Sequence, residues 1–296
     1  MVRMRLLAGI LAILSLSSIA QTQRLTAADA IQRIRQRYPA AVAADTVDTI
    51  KAGDPSTPVT GIATTFLDTM DVLREAARRG DNLVVTHEPT FYNHRDETAF
   101  FQDDSVYREK LAFIQQHHMV VFRLHDEIHM VPPDHIEIGL LKALGWERYA
   151  KADDPHTVTL PPTTLAALAM ELRVRLHIQT LRVIGNPDLT IAHAVILPGA
   201  SGLQKQVLAL RRDDVDVLIA GEASEWETVE YARDAAAQGR HKALILLGHE
   251  VSEEPGMEQC AEDLRAVFPG VKIDHIVAGQ PMWNAEHPPA TVDSKP

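Results

Sequence analysis

The chain has 296 residues, a formal charge of −11, and a single cysteine beside fourteen histidines. That length allows one large core or two packed halves, and an acidic chain without a basic stripe is not a nucleic-acid binder. One cysteine excludes an intrachain disulfide and a thiolate metal site, so any metal chemistry must use histidine and carboxylate.

Arg3 and Arg5 precede an apolar run from Leu6 to Ile19, and Ser18-Ile19-Ala20 gives a small-x-small pattern. The run is short for a membrane span, so residues 1–20 read as a secretory leader cut after Ala20. The mature chain is then expected to be periplasmic or secreted, free of the membrane, with charge −13 once Arg3 and Arg5 are removed. Residues 25–38 have helical spacing, with Ile31, Ile34 and Tyr38 on one face and Thr26 as N-cap. After a turn at 54–58, residues 59–66 read as a strand, Asp68 or Thr69 opens a helix that stops near Gly80, and 82–86 is a buried strand. A helix over 105–117, a strand over 119–124 and a helix over 136–144 complete an N-terminal α/β half, 21–145. Residues 146–190 read as a bridging region, with Pro161-Pro162 shortly before a helix containing Leu168 and Leu172.

The C-terminal half, 191–280, is read as strands at 193–197, 215–220, 243–247 and 271–276 with helices at 227–237 and 255–268. Residues 281–296 are a Pro-rich tail expected to be disordered. Cys260 shares helical spacing with Met257, Leu264 and Val267, which makes it a core residue. Alternating strands and helices predict an α/β fold of two packed, pseudo-repeated halves with mostly parallel strands and a site between them.

The segments Leu83-Val84-Val85-Thr86-His87-Glu88 and Ile245-Leu246-Leu247-Gly248-His249-Glu250 have the same form: a buried strand delivering His-Glu at its carboxyl end. Ligands of open α/β sheets gather at such ends. Pro89 biases Glu88 toward extended geometry. His249 with Glu253, and His125 with His129, are each four residues apart just past a strand. Each pair alone reads as structural, and Glu253 alone as a complement to a helix dipole. Three pairs at strand ends point to metal. Imidazole and carboxylate suit zinc, manganese or iron(II). Two such ions about 3.5–4 Å apart share a carboxylate and activate water. Gly199-Ala200-Ser201-Gly202 reads as a turn, and the sequence contains no Gly-x-Ser-x-Gly elbow.

Taken together, these segments resemble the Nif-three-like dinuclear metal-centre family, which includes the GTP cyclohydrolase I type 2 homologues. Val59-Thr60-Gly61-Ile62-Ala63-Thr64 is similar to the family's first strand, and Thr86-His87-Glu88-Pro89-Thr90-Phe91 to its Thr-His-His-Pro-Leu-Phe motif. Residues 125–129 fall where the family has His-Thr-x-Leu-Asp. Gly221-Glu222-Ala223-Ser224 and Gly248-His249 with Glu253 resemble its Thr-Gly-Asp/Glu-x-Ser and Gly-His-x-x-x-Glu segments.

The resemblance implies two divalent ions between the halves and a homo-oligomer, often a hexameric toroid built from dimers. Its ligands here would be His87, Glu88, His129, His249 and Glu253. His125 would be a ligand or a support for one, and Glu222 would orient a ligand or water. Glu88 stands where the family has His, and His129 where it has Asp, which preserves the donor inventory. Trp226 stands where the family often has His, and is expected either at a pocket mouth or packed on a helix. The implied activity is hydrolysis of a small phosphorylated, nucleotide or cyclic-amidine substrate by a metal-bridging hydroxide, with Glu88, Glu222 or Glu253 handling the proton. The alternatives are a metal-binding or metal-delivery protein without turnover, and a scaffold stabilised by its metals.

Overall fold

The computed structural model describes residues 24–152 and 154–286; the expected leader, 1–20, and residues 287–296 of the tail lie outside the described residues. Helix α1 (Ala27–Arg37) opens on a capping box, the Thr26 hydroxyl accepting from the Asp29 amide while the Asp29 carboxylate returns to Thr26. Strand β1 (Ile50–Ala52) and strand β2 (Ile62–Thr65) follow, the latter shorter than the predicted 59–66. Helix α2 (Met70–Arg79) is capped by Thr69 and stopped by Gly80 in the left-handed region, where glycine carries no Cβ penalty. Strand β3 (Leu83–Thr86), helix α3 (Ser105–Gln116), strand β4 (Val120–Arg123), the short helix α4 (Asp126–Met130) and helix α5 (His135–Leu144) come next. Strands β2, β3 and β4 are buried throughout, as strands covered on both faces must be.

Residues 146–190, expected to bridge, instead supply strands to a second sheet. They form β5 (Ala150–Lys151), β6 (Asp154–Thr164), α6 (Leu165–Arg175) and β7 (Arg182–Ile184). Pro161-Pro162 obscured β6, and the pairing of β6 is irregular between Thr159 and Thr163, where neither proline has an N–H to donate. Then come β8 (Thr190–Leu197), α7 (Leu203–Leu210), β9 (Val217–Ala220), a π-helix over Glu225–Val229 leading into α8 (Glu230–Ala237), and β10 (Ala243–Leu246). The chain ends in α9 (His249–Val267) and β11 (Ile273–His275).

The five-stranded sheet has order β1-β4-β3-β2-β11, and the six-stranded sheet β5-β6-β8-β9-β10-β7. Strands β11, β2, β3 and β4 pair in parallel, as do β8, β9 and β10, with antiparallel strands at the edges. Strand β11 therefore joins the first sheet rather than the C-terminal half in which the sequence placed it.

The last helix also begins earlier than predicted. Proline favours a helix's first position, which made Pro255 look like a start, yet it lies inside α9. Helix α5 begins in one core, with Ile136, and ends in the other, with Leu140, Leu141 and Leu144. Helix α9 makes the reverse passage, from Val251 to Met257, Cys260 and Leu264. They cross at glycines: a Cβ on Gly139 would lie 2.3 Å from the Pro255 carbonyl oxygen, and one on Gly256 2.5 Å from the Ile136 Cα. No helix among the described residues is long and apolar enough to cross a membrane.

Candidate metal centre

The carboxyl ends of the parallel strands supply the site. His87 follows β3, and its amide donates to the carbonyls of Thr65 and Phe66 at 3.1 and 3.2 Å. Its ring is fully buried, and Nδ1 lies 3.0 Å from the Leu124 carbonyl, so Nδ1 donates there and, in the neutral ring, Nε2 presents a lone pair. That Nε2 has no hydrogen-bond partner among the described residues. The nearest anion is Glu253 Oε2, 3.3 Å away. A buried nitrogen without a partner is uncommon, and here it leaves a donor atom available to an ion.

Beyond β4, the Asp48 carboxylate accepts the amides of His125, Asp126 and Glu127 at 2.7–2.9 Å and so starts α4. His125 Nδ1 is 2.9 Å from Asp126 Oδ1, and His129 Nδ1 is 2.8 Å from Asp134 Oδ2. Asp134 uses its other oxygen to cap α5. Tying each Nδ1 to an oxygen fixes the ring and leaves each Nε2 as the donor atom, the usual device behind a ligating histidine. Ring centroids of His87, His125 and His129 are 4.8, 4.9 and 5.1 Å apart.

Because α9 begins at His249, that residue and Glu253 share one helix face, with Nε2 and Oε2 3.0 Å apart. Their spacing therefore works through the helix, not through a loop ahead of it. Ser252 Oγ accepts the Gly199 amide at 2.9 Å and donates to the His249 carbonyl at 2.6 Å, pinning the β8 loop over the pair. Gly199 has φ +61°, and a Cβ there would sit on Glu253 Oε1. Glu222, after β9, places Oε2 3.7 Å from His249 Nδ1 while its side chain stays 54 % exposed.

Glu88 is divided. Oε2 takes Arg123 Nη2 at 3.1 Å, whereas Oε1 faces His249 Nε2 at 3.3 Å and His125 Nε2 at 3.7 Å. Arg123 is fully buried, donates to the carbonyls of His87 and His94, and lies 3.5 Å from Asp96, itself paired with Lys51 at 3.1 Å.

The structure thus gathers His87, Glu88, His125, His129, His249 and Glu253 into one cluster, with Glu222 at its edge. Two sets of donor atoms lie within 4.8 Å of one another and could hold an ion: His87 with His125 and His129, and His87 with Glu88 and Glu253. Trp226 rides the π-helix 81 % exposed, neither among the residues lining the cleft nor packed away. Sequence reasoning missed Arg123, Asp134, Ser252 and Gly199. Arg123 had one signal, a charge closing the apolar strand Val120–Phe122.

Burial alone would raise the Glu253 carboxyl, but His87 and His249 hold it far below the usual carboxylate range. Burial would lower His249, yet Glu222, Glu253 and Glu88 push it up to about 12. His125 goes the other way, pushed down to about 4 by burial and the neighbouring His87. At neutral pH the metal-free site therefore keeps a proton on His249 that an ion must displace. Metal uptake near pH 7 is expected to release about one proton, and affinity to rise with pH. Calorimetry in buffers of different ionisation enthalpy measures this; no dependence on the buffer would contradict it.

A cleft of about 980 Å³ opens beside the cluster, with Met130, Pro132, Leu197 and Lys205 among its walls. Facing α/β sheets with a histidine–carboxylate cluster at their strand ends define an α/β protein with a candidate metal centre. Residues 25–281 match the family described as Duf34/NIF3 (NGG1p interacting factor 3), and the chain belongs to that family. It is 24% identical over 230 residues to a "GTP cyclohydrolase 1 type 2 homolog" of Clostridium acetobutylicum, across 74% of this chain and 81% of the relative. The fold is similar to Staphylococcus aureus hypothetical protein SA1388, with TM-score 0.70, 18% identity, and 86% and 96% of the two chains covered. It is also similar to a Bacillus cereus protein related to NIF3, with TM-score 0.67, 15% identity, and 84% and 96% covered.

Proposed function

We propose that this chain is a metal-dependent hydrolase of a small substrate, exported through its leader and assembled as a homo-oligomer. The observation that carries the reading is the set of imidazoles whose Nδ1 atoms are all tied, leaving Nε2 donors turned inward beside an open cleft. Divalent ions held there supply Lewis acidity and a water of lowered pKa. The cleft volume falls in the range of small-molecule sites.

Among the three carboxylates first considered for the proton, Glu253 is enclosed by the donor cluster and Glu88 is held by Arg123. Glu222, half exposed at the edge of the cluster and 3.7 Å from His249, is the one of the three that is neither enclosed nor held by an arginine. A nucleotide or cyclic amidine fits the name of the Clostridium relative, although GTP itself is scarce outside the cytoplasm. Purified full chain, assayed on phosphoesters, nucleotides and amides, is expected to lose turnover with chelator and in His249→Ala. Glu222→Gln is expected to lower the rate about 100-fold, as loss of a general base does.

A metal-loaded protein inert on every class would instead favour metal handling without turnover. One observation supports that second reading: Glu137 on the cleft wall is 2 % exposed, with Oε2 2.9 Å from His156 Nδ1 and Oε1 without a partner among the described residues. Asp134 and Asp154 line the same cleft, which makes this side of it acidic.

A further inference from the structure

The two candidate donor sets share His87, and His87 has one atom to give. Its Nδ1 is committed to the Leu124 carbonyl, so Nε2 alone can bind, and one nitrogen lone pair takes one ion. The sets are therefore alternatives at that nitrogen. On the three-histidine side, His125 and His129 bring rings within 4.8 and 4.9 Å of His87, and each has its Nδ1 anchored on an aspartate. On the other side, Glu88 comes already engaged. Its Oε2 lies against a guanidinium with no exposed surface, inside a network in which Lys51 and Arg123 balance Asp96 and Glu88. Only Oε1 remains for an ion, and the anion's charge is largely spent on Arg123.

His129 adds to the asymmetry. Its Nδ1 is tied to Asp134, so its Nε2 alone can bind, and it serves one ion. Glu253 is the group placed between the two sides, with Oε1 3.9 Å from His129 Nε2 and Oε2 3.0 Å from His249 Nε2.

We infer that the chain holds its ions unequally: one tightly, by His87, His125 and His129 with Glu253, and a second weakly, by Glu88 and His249. The nitrogen-rich set selects ions such as zinc or cobalt over manganese or magnesium. This rests on the metal-binding part of the proposed function and not on turnover.

The test is titration of chelator-stripped full chain with Co²⁺, followed by visible absorption and by heat. Two steps are expected, the first at least about tenfold tighter, the scale at which even the partners behind a ligand change affinity. Glu88→Gln is expected to abolish the second step and spare the first. His125→Gln and His129→Gln are expected to weaken the first by about 100-fold or more. Zn²⁺ should displace the first Co²⁺, whereas Mn²⁺ should not. Glu88→His, a nitrogen donor with no charge for Arg123, should strengthen the second step. Circular dichroism confirms that each variant is folded.

Two equivalents bound with equal affinity would overturn the inference, as would a first step weakened by Glu88→Gln or untouched by His125→Gln. A chain that binds no Co²⁺ removes this inference and the metal reading together. Two-step binding without turnover on any substrate supports the inference and removes only the hydrolase.

Discussion

Glu253→Ala is expected to strip the chain of bound metal. The Glu253 carboxylate is 3 % exposed and faces three imidazoles, with His249 at 3.0 Å, His87 at 3.3 Å and His129 at 3.9 Å. It reaches donors from both halves and, unlike Glu88, is not shared with an arginine, so its loss should weaken both ions rather than one. Changing a partner behind a ligand costs about 10–100-fold in affinity, and removing the charged group itself should cost more than about 100-fold. Glu253→Gln keeps the shape without the charge and should fall between the two. Metal content after dialysis, counted by atomic spectroscopy, decides the matter: stoichiometric metal retained by Glu253→Ala would show that this carboxylate is no ligand. In the metal-free protein the same substitution should lower the His249 pKa from about 12, because one of the carboxylates that raise it is gone.

Gly256→Ala is expected to be among the most damaging single-methyl additions in the chain. Glycine to alanine inside a helix ordinarily gains up to about 1 kcal/mol. Here the added Cβ would lie 2.5 Å from the Ile136 Cα and 2.6 Å from its Cδ1. The first of these is backbone of a helix buried in both cores, and it cannot retreat. Overpacking of this kind costs about 1–3 kcal/mol and occasionally more, so steric strain outweighs propensity by up to about 2 kcal/mol. The same shift should move His249 and Glu253 on the first turns of α9 and lower metal affinity as well. A denaturation midpoint and a metal content equal to those of the unaltered chain would show that the crossing has slack.

Much of this fold could be read from sequence because its central strands are short, apolar and sharply punctuated. Thr69, Gly80 and Gly145 fall where caps were expected or helices were expected to stop, and β3, β4 and β10 lie within a residue or two of their predicted bounds. What escaped were features decided by partners far along the chain. Helix α9 runs through Pro255 because its packing against α5 outweighs the missing N–H, and no local signal announces that. The place of β11 beside β2 depends on residues more than 200 positions away. The site divides in the same way. Its candidate donors were visible as residue types at strand ends, whereas Arg123 acquires its role only by meeting Glu88, 35 residues earlier. Asp134 and Ser252 act through hydrogen bonds that spacing does not encode.

The passage of α5 out of one core and α9 back into it makes everything from β5 to β10 an insertion, entered and left at a single crossing of two glycines. The candidate donors and the groups beside them are divided across it. His87, Glu88, His125 and His129 belong to the host unit, Gly199 and Glu222 to the insert, and His249 and Glu253 to α9 between them. The cluster is thus built at the seam between host and insert, and any change in how the two helices pack at the glycine crossing reaches groups from both.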